Sequence, residues 1–137
     1  MKHVICYIST ATKHLDDKEV EALMKEWQEQ NSKQNIKGIL LYSEGHFFQV
    51  LEGEKESVLS LFQEIQQDSR HTSVIQVLGK DVNRGSLDGY VVEHLKSARY
   101  SKPEVIGMYC GSVKGMDPKI QEQIKVILGS FIDTQVL

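Results

Sequence analysis

The sequence has little of what marks disulfide-rich, metal-binding, membrane or nucleic-acid-binding proteins. Its two cysteines, Cys6 and Cys110, are too far apart to match a metal-binding or redox motif. No stretch approaches the roughly 18 apolar residues of a membrane span, and the N-terminal apolar run is too short for a signal peptide. The net charge is −3 and no lysine- or arginine-rich run is present. We therefore expect a cytoplasmic protein with reduced thiols that binds neither nucleic acid nor a membrane.

Strand-like and helical patterns follow one another in the order βαββαβ, followed by an extra strand. Residues 4–9 are apolar and β-branched, as in a strand. Asp16 and Glu19 have the spacing of a capping box at the start of a helix. Ser43-Glu44-Gly45 predicts a hairpin turn in which Gly45 adopts a positive φ. This order is typical of an α+β ferredoxin-like sandwich, with the first and third strands at the sheet centre and two helices on one face. The other predicted strands are 36–42, 46–51, 74–78 and 90–92.

A third helix is predicted near the end of the chain. Asp117-Pro118 has the residue types favoured at an N-cap and at the first helical position. Because two helices cover one sheet face, we expect this helix to cover the other. Residues 98–137 would then be a helical extension that packs on a main domain of residues 1–97. The apolar stripe of the helix consists of Ile120, Ile124, Ile127, Leu128, Phe131 and Ile132.

Tyr7 and Gln49 are polar side chains on the two strands predicted to be central. Gln49 shares its strand face with Phe47 and Leu51, which predicts that its amide is buried. A buried amide without partners costs about 1–3 kcal/mol, so Gln49 needs a hydrogen-bond partner. Tyr7 on the adjacent strand is a candidate. Taken alone, the spacing favours a structural Tyr–Gln hydrogen bond over a functional pair.

Four strings give the sequence its most specific pattern. Ile-Cys-Tyr-Ile-Ser occupies residues 5–9, and Asn31 precedes Asn-Ile-Lys-Gly-Ile-Leu-Leu-Tyr at residues 35–42. Phe-Phe-Gln-Val-Leu-Glu-Gly-Glu follows at 47–54, and Asp-Ser-Arg-His at 68–71. In order and spacing they resemble the BLUF family of flavin-binding blue-light photoreceptor domains. The resemblance extends from residue 3 to about residue 95.

The resemblance implies that residues 1–97 bind FAD, or alternatively FMN or riboflavin, between the two helices. It implies that Tyr7 is the photochemical electron donor and that Gln49 is the amide that switches between Tyr7 and the flavin. Simpler explanations exist for single residues, such as a helix cap for Asn31 and a surface ion pair for Asp68 with Arg70. The other implied flavin contacts are Asn31 at the pyrimidine end of the ring, Asp68, Arg70, His71, and Leu23 packed on the ring.

The sequence departs from the family pattern at several positions. Where the fifth strand of the family carries a Trp-x-Met pair preceded by Phe, this chain has Tyr90, Val92 and Leu87. Tyr90 and Val92 are thus the candidate signal-relay residues, and their identity puts this output route in doubt. Trp27 lies one helical turn before Asn31, where the family commonly has a small hydroxylic residue. It could compete as an electron donor, fill the flavin pocket, or turn into the core.

We expect a photoreceptor without enzymatic activity that signals to a separate protein partner or through homo-oligomer assembly. A flavin-free BLUF-like protein-interaction module is the alternative, motivated by Trp27, Tyr90 and Val92. A small ferredoxin-like hydrolase of the acylphosphatase type is a third class. It is disfavoured because the sequence has no glycine-rich phosphate loop, and its histidines have no metal-ligand spacing.

Overall fold

The computed structural model describes residues 1–82, the backbone of 90–94, Gly107 and residues 118–133. The predicted order of elements is confirmed, and the fifth strand is present. The N-cap predicted at Asp117 and the boundary predicted between residues 97 and 98 lie outside the described residues. The elements are β1 (Lys2–Ala11), α1 (Asp17–Lys33), β2 (Lys37–Ser43), β3 (His46–Glu54), α2 (Lys55–Gln67), β4 (His71–Val82), β5 (Tyr90–His94) and α3 (Pro118–Asp133).

The strands form one sheet in the order β4-β1-β3-β2-β5. β1 is antiparallel to both β3 and β4, and β2 is antiparallel to β3. β5 extends the sheet by pairing in parallel with β2. The predicted ferredoxin-like sandwich with an extra strand is therefore confirmed, and β1 and β3 occupy the centre of the sheet as expected.

Local sequence signals set the start of α1 and the β2–β3 register. The backbone N–H of Glu19 donates to Asp16 Oδ1 at 2.8 Å, and Glu19 Oε1 accepts from the Asp16 backbone N–H at 3.4 Å, which completes the capping box. Gly45 has a φ of 84°, as predicted, and Glu44 also lies in the left-handed region at 48°. Two consecutive positive φ angles match the tight hairpin turns that suit the twist of the flanking strands.

Side chains alternate between two cores on opposite faces of the sheet. Ile5 and Tyr7 face α1 and α2, whereas Val4 and Cys6 belong to the cluster formed with α3. The prediction that the last helix covers the second sheet face is therefore confirmed. Its contributing residues are Ile120, Ile124, Leu128, Phe131 and Ile132, with Ile127 partly buried beside them.

The two helices on the first face lie over different strands. α1 contacts β2 and β5, whereas α2 contacts β1, β3 and β4. The space between the helices therefore lies above the central part of the sheet, where Tyr7 and Gln49 are located. None of the helices in the described ranges has the length and apolar content needed to cross a membrane.

Candidate functional site

Tyr7 and Gln49 are directly opposite each other on β1 and β3. Both side chains are buried, and Gln49 Nε2 donates a hydrogen bond to the Tyr7 hydroxyl oxygen. The predicted contact between the two residues is therefore present. Burial raises the pKa of Tyr7 well above its ordinary value, and the bond from Gln49 offsets only part of this effect. Tyr7 is thus a neutral phenol at neutral pH.

Asn31 extends this polar pair to α1. Its side chain is buried, and Asn31 Nδ2 lies 3.5 Å from Gln49 Oε1. The helix-cap explanation is not supported, because the C-cap of α1 is Gln34 and the left-handed residue that follows is Asn35, with a φ of 57°. The Asn31 side chain instead faces the sheet. Tyr7, Gln49 and Asn31 form a buried polar chain among the apolar residues that α1 and α2 cover.

Arg70 makes two ion pairs at the end of α2. Its Nε lies 3.0 Å from Asp68 Oδ1, and its Nη2 lies 2.7 Å from Asp68 Oδ2. The guanidinium of Arg70 holds the pKa of Asp68 below its usual range. Arg70 Nη1 also donates to Glu26 Oε2 on α1, a contact that the sequence did not indicate. The ion pair that is the simpler explanation for Asp68 and Arg70 is therefore present, and it forms part of a larger group of charges.

His71 is a buried connection between α2 and β1. Its Nε2 donates to the Ile65 backbone carbonyl at 2.7 Å, because a carbonyl oxygen can only accept. Its Nδ1 lies 2.8 Å from Ser9 Oγ. The ring centroid of His71 is 6.2 Å from that of Tyr7. His71, the first residue of β4, is therefore a buried and oriented neighbour of Tyr7.

Trp27 lies in the core on the inner side of α1. It belongs to the same buried cluster as Val20 and Met24, as one of the three interpretations expected. Its ring centroid is 5.2 Å from that of Phe47 and 5.6 Å from that of His71. The guanidinium carbon of Arg70 lies 5.4 Å from the Trp27 ring centroid, within the range of cation–π contacts. Trp27 thus fills space between α1 and the sheet beside the predicted flavin contacts.

A groove of about 470 Å³ opens beside α1. This volume lies within the roughly 300–1,000 Å³ of small-molecule sites. The turn that forms one wall is held by Thr12, whose backbone N–H donates to the Arg70 carbonyl and whose hydroxyl donates to the Ser69 carbonyl. Two of the predicted flavin contacts, Leu23 and Arg70, line the groove. The other lining residues are Thr12, Lys13, Leu15, Glu19, Ala22 and Ser69.

The predicted relay residues can be placed by their backbone alone. Tyr90 pairs with Gly38, and Val92 pairs with Leu40. Because Leu40 in turn pairs with Gln49, Val92 occupies the same register row as Gln49. The side chains of Tyr90 and Val92 and all of Leu87 lie outside the described residues.

The side chains present match the hydrogen-bonding chemistry of a flavin ring. The amides of Asn31 and Gln49 offer donors and acceptors, Arg70 offers donors, and Asp68 offers an acceptor, which suits the alternating carbonyl and N–H groups of a pyrimidine edge. Leu23 supplies an apolar surface. Among the residues that the structure describes, no group of three or more histidine, cysteine, aspartate or glutamate side chains could hold a metal ion.

The fold and this site define a ferredoxin-like sandwich with a buried Tyr–Gln–Asn chain beneath two helices. The family model of BLUF, sensors of blue-light using FAD, matches residues 2–88, and the chain belongs to this family.

Two kinds of similarity accompany the family match. The chain is 41% identical over 73 residues to photoactivated adenylate cyclase subunit beta of Euglena gracilis, an alignment that covers 53% of this chain and 8% of that protein. It resembles the solved BlrP1 BLUF structure with a TM-score of 0.78 and 27% identity, over 96% of this chain and 90% of the other. Klebsiella pneumoniae BlrP1 with FMN and cyclic diGMP gives a TM-score of 0.81 at 27% identity, with 98% of this chain and 36% of the other covered.

Proposed function

We propose that this chain is a blue-light switch that binds a flavin between α1 and α2 and signals by rearranging the hydrogen bonds of Gln49. The observation that carries the proposal is the buried chain from Tyr7 through Gln49 to Asn31. The two contacts engage both the nitrogen and the oxygen of the Gln49 amide, with partners on β1 and α1. Asn31, a third polar side chain on a different element, supports a site whose hydrogen bonds respond to a bound ligand.

Three groups of side chains would hold the flavin: amides at its pyrimidine end, an apolar side chain against its ring, and polar side chains after α2. Asn31 and Gln49 would bond the pyrimidine end, and Leu23 would pack against the ring. Asp68, Arg70 and His71 complete the proposed set. The flavin would supply the absorption of blue light and accept one electron from an aromatic neighbour. FAD is the proposed form, with FMN and riboflavin as alternatives, and BlrP1 has been solved with FMN.

Tyr7 would give up one electron and then its phenolic proton. A tyrosine phenol is neutral at neutral pH, and burial raises the pKa of Tyr7 further. Removal of an electron would make the phenol strongly acidic. Gln49 turns its donor nitrogen toward Tyr7, so the amide would receive the proton through Oε1 after rotating that oxygen toward the phenol. The cycle is balanced when the electron and the proton return to Tyr7, so no substrate is consumed.

The orientation of the Gln49 amide would differ between the dark state and the lit state. A primary amide donates through its nitrogen and accepts through its oxygen, so it can pass a proton on and then settle with its donor and acceptor exchanged. In this structure, Nε2 faces Tyr7 and Oε1 faces Asn31. A reversed arrangement would change the hydrogen bonding of a neighbouring flavin carbonyl and shift its absorption to the red.

The output would pass to a separate protein in the cytoplasm or to assembly of copies of this chain, with no enzymatic activity in the chain itself. A flavin-free interaction module is the second candidate function. The packed position of Trp27 beside Phe47 and His71 favours it, because this ring occupies space next to the proposed flavin contacts.

Flavin content tests the proposal directly. Protein purified in the dark should be yellow, and heat should release a flavin that chromatography identifies as FAD, FMN or riboflavin. Protein that is colourless, and stays colourless after refolding with excess FAD, would contradict the proposal and favour the interaction module.

A further inference from the structure

Arg70 is engaged by two carboxylates that come from different parts of the chain. Asp68 belongs to the same turn, where its Oδ1 also accepts from the Arg70 backbone N–H at 2.9 Å. Glu26 lies on α1, 44 positions earlier in the sequence. The Arg70–Glu26 pair therefore connects α1 to the turn after α2, and Arg70 also lines the groove beside α1.

Because the guanidinium is rigid and planar, the position in which it bonds Asp68 and Glu26 limits where it can bond another partner. Its five N–H donors form a fixed planar fork. Asp68 takes one edge of the fork through Nε and Nη2, Glu26 takes Nη1, and the Trp27 ring lies against one face. These bonds use three of the five N–H groups and fix where the guanidinium lies, so a ligand that needs Arg70 in another position must displace Glu26, the partner on α1.

We propose that Glu26 sets the flavin affinity of this chain by competing with the flavin for Arg70. The inference rests on the proposed flavin-binding function. Asp68 is fixed to the turn by its own backbone contact, so it moves with Arg70 and orients it. Glu26 is the partner that must be released, and its release removes one of the two contacts, the other being Trp27, that link α1 to Arg70 in the turn beside the groove. Glu26 is thus an affinity-determining residue that need not touch the flavin.

The size and the salt dependence of the effect on flavin affinity follow from the solvent exposure of the Arg70–Glu26 pair. The side chains of Arg70 and Glu26 are 44% and 46% exposed. An ion pair of this exposure changes an equilibrium constant by up to about five-fold. Salt screens such a pair, so raising the ionic strength should release Arg70 and strengthen flavin binding. This sign is opposite to the one expected if salt weakened an attraction between Arg70 and a flavin phosphate.

Riboflavin is the appropriate probe because it has no phosphate, so the ligand adds no charge of its own. Its dissociation constant would be measured in the dark by fluorescence quenching, at low and high salt, for wild-type protein, Glu26→Gln and Glu29→Gln. Glu29 is an exposed glutamate on the same helix and provides a matched charge change. Thermal unfolding of the ligand-free proteins would show that all three are folded.

We expect Glu26→Gln to bind riboflavin up to about five-fold more tightly than wild-type protein, with little dependence on salt. Wild-type protein and Glu29→Gln should bind alike and more tightly at high salt. Equal or weaker binding by Glu26→Gln would overturn the inference, and weaker binding would mean that Glu26 positions Arg70 for the ligand. Failure of all three proteins to bind riboflavin or FAD would overturn the proposed function as well. Binding by wild-type protein distinguishes the two cases: if wild-type protein binds, only the inference about Glu26 is at stake.

Discussion

Cys6 and Val50 are paired across β1 and β3 on the sheet face that α3 covers, and each is the chain neighbour of a residue in the Tyr7–Gln49 pair on the opposite face. The polar contact and the contact surface of the tail helix are thus one residue apart along both central strands. A rearrangement at Gln49 therefore has a short physical path to α3 through the sheet itself.

Tyr7→Phe should retain the flavin but lose the light response, because it removes only the hydroxyl that accepts from Gln49. Loss of this partner from a buried amide should also lower the free energy of unfolding by about 1–3 kcal/mol. Spectroscopy after illumination and denaturant unfolding would measure the two effects. Tyr42→Phe is the matched control, since Tyr42 is buried in the same cluster, and it should keep the photocycle.

Trp27 should not replace Tyr7 as the productive electron donor. A tryptophan has no hydroxyl proton to pass to Gln49, so we expect Trp27→Phe to keep the reversible red shift. If Tyr7→Phe nevertheless showed a normal photocycle, Trp27 would be the candidate donor. The double variant Tyr7→Phe with Trp27→Phe would then abolish the response, whereas a persisting response would require a further donor.

Several features of this structure follow from local sequence signals, and others do not. The Asp16–Glu19 capping box and the opposite faces of Cys6 and Tyr7 depend on short-range geometry, so they could be predicted. The length of β4 could not. The sequence pattern predicts a strand only over residues 74–78, yet β4 spans His71–Val82, because backbone pairing with β1 sustains an edge strand whose side chains are mostly exposed.

The candidate site likewise has contacts that could be predicted from the sequence and contacts that could not. The Tyr7–Gln49 contact could be predicted from strand order and side-chain alternation. The Glu26–Arg70 pair could not, because two exposed charges far apart in the sequence give no periodic signal. The anchoring of His71 to a backbone carbonyl was likewise absent from the sequence pattern, since any residue type can offer that carbonyl.

Cys6 should report whether α3 stays on the sheet. Burial raises the pKa of its thiol, and the thiolate is the reactive form. In a Cys110→Ser background, Cys6 should react with a thiol reagent far more slowly in folded protein than after denaturation. Illumination should speed the reaction if the light signal loosens α3. Labelling in the dark at the rate of an unfolded thiol would contradict the packing of α3 over Cys6.

Hydrogen exchange should locate the output. A rearrangement of Gln49 can move α3 only if the two light states differ in their contacts with an element that touches both Gln49 and α3. We expect faster exchange in residues 85–95 and 118–133 on illumination, with a weaker change at Tyr90 and Val92 than in α3 if the path runs through Val50. Identical exchange in both segments, together with a normal colour shift, would mean that the signal leaves by another route.

The most direct test of the account is the light-minus-dark absorption spectrum of flavin-loaded wild-type protein, Gln49→Leu and Gln76→Leu. Gln76 is the appropriate control because it is paired with Tyr7 from the other side, on β4, and is exposed. Wild-type protein and Gln76→Leu should show a reversible red shift, whereas Gln49→Leu should bind flavin and show none. A red shift of wild-type size in Gln49→Leu would contradict the claim that the Gln49 amide is the switch.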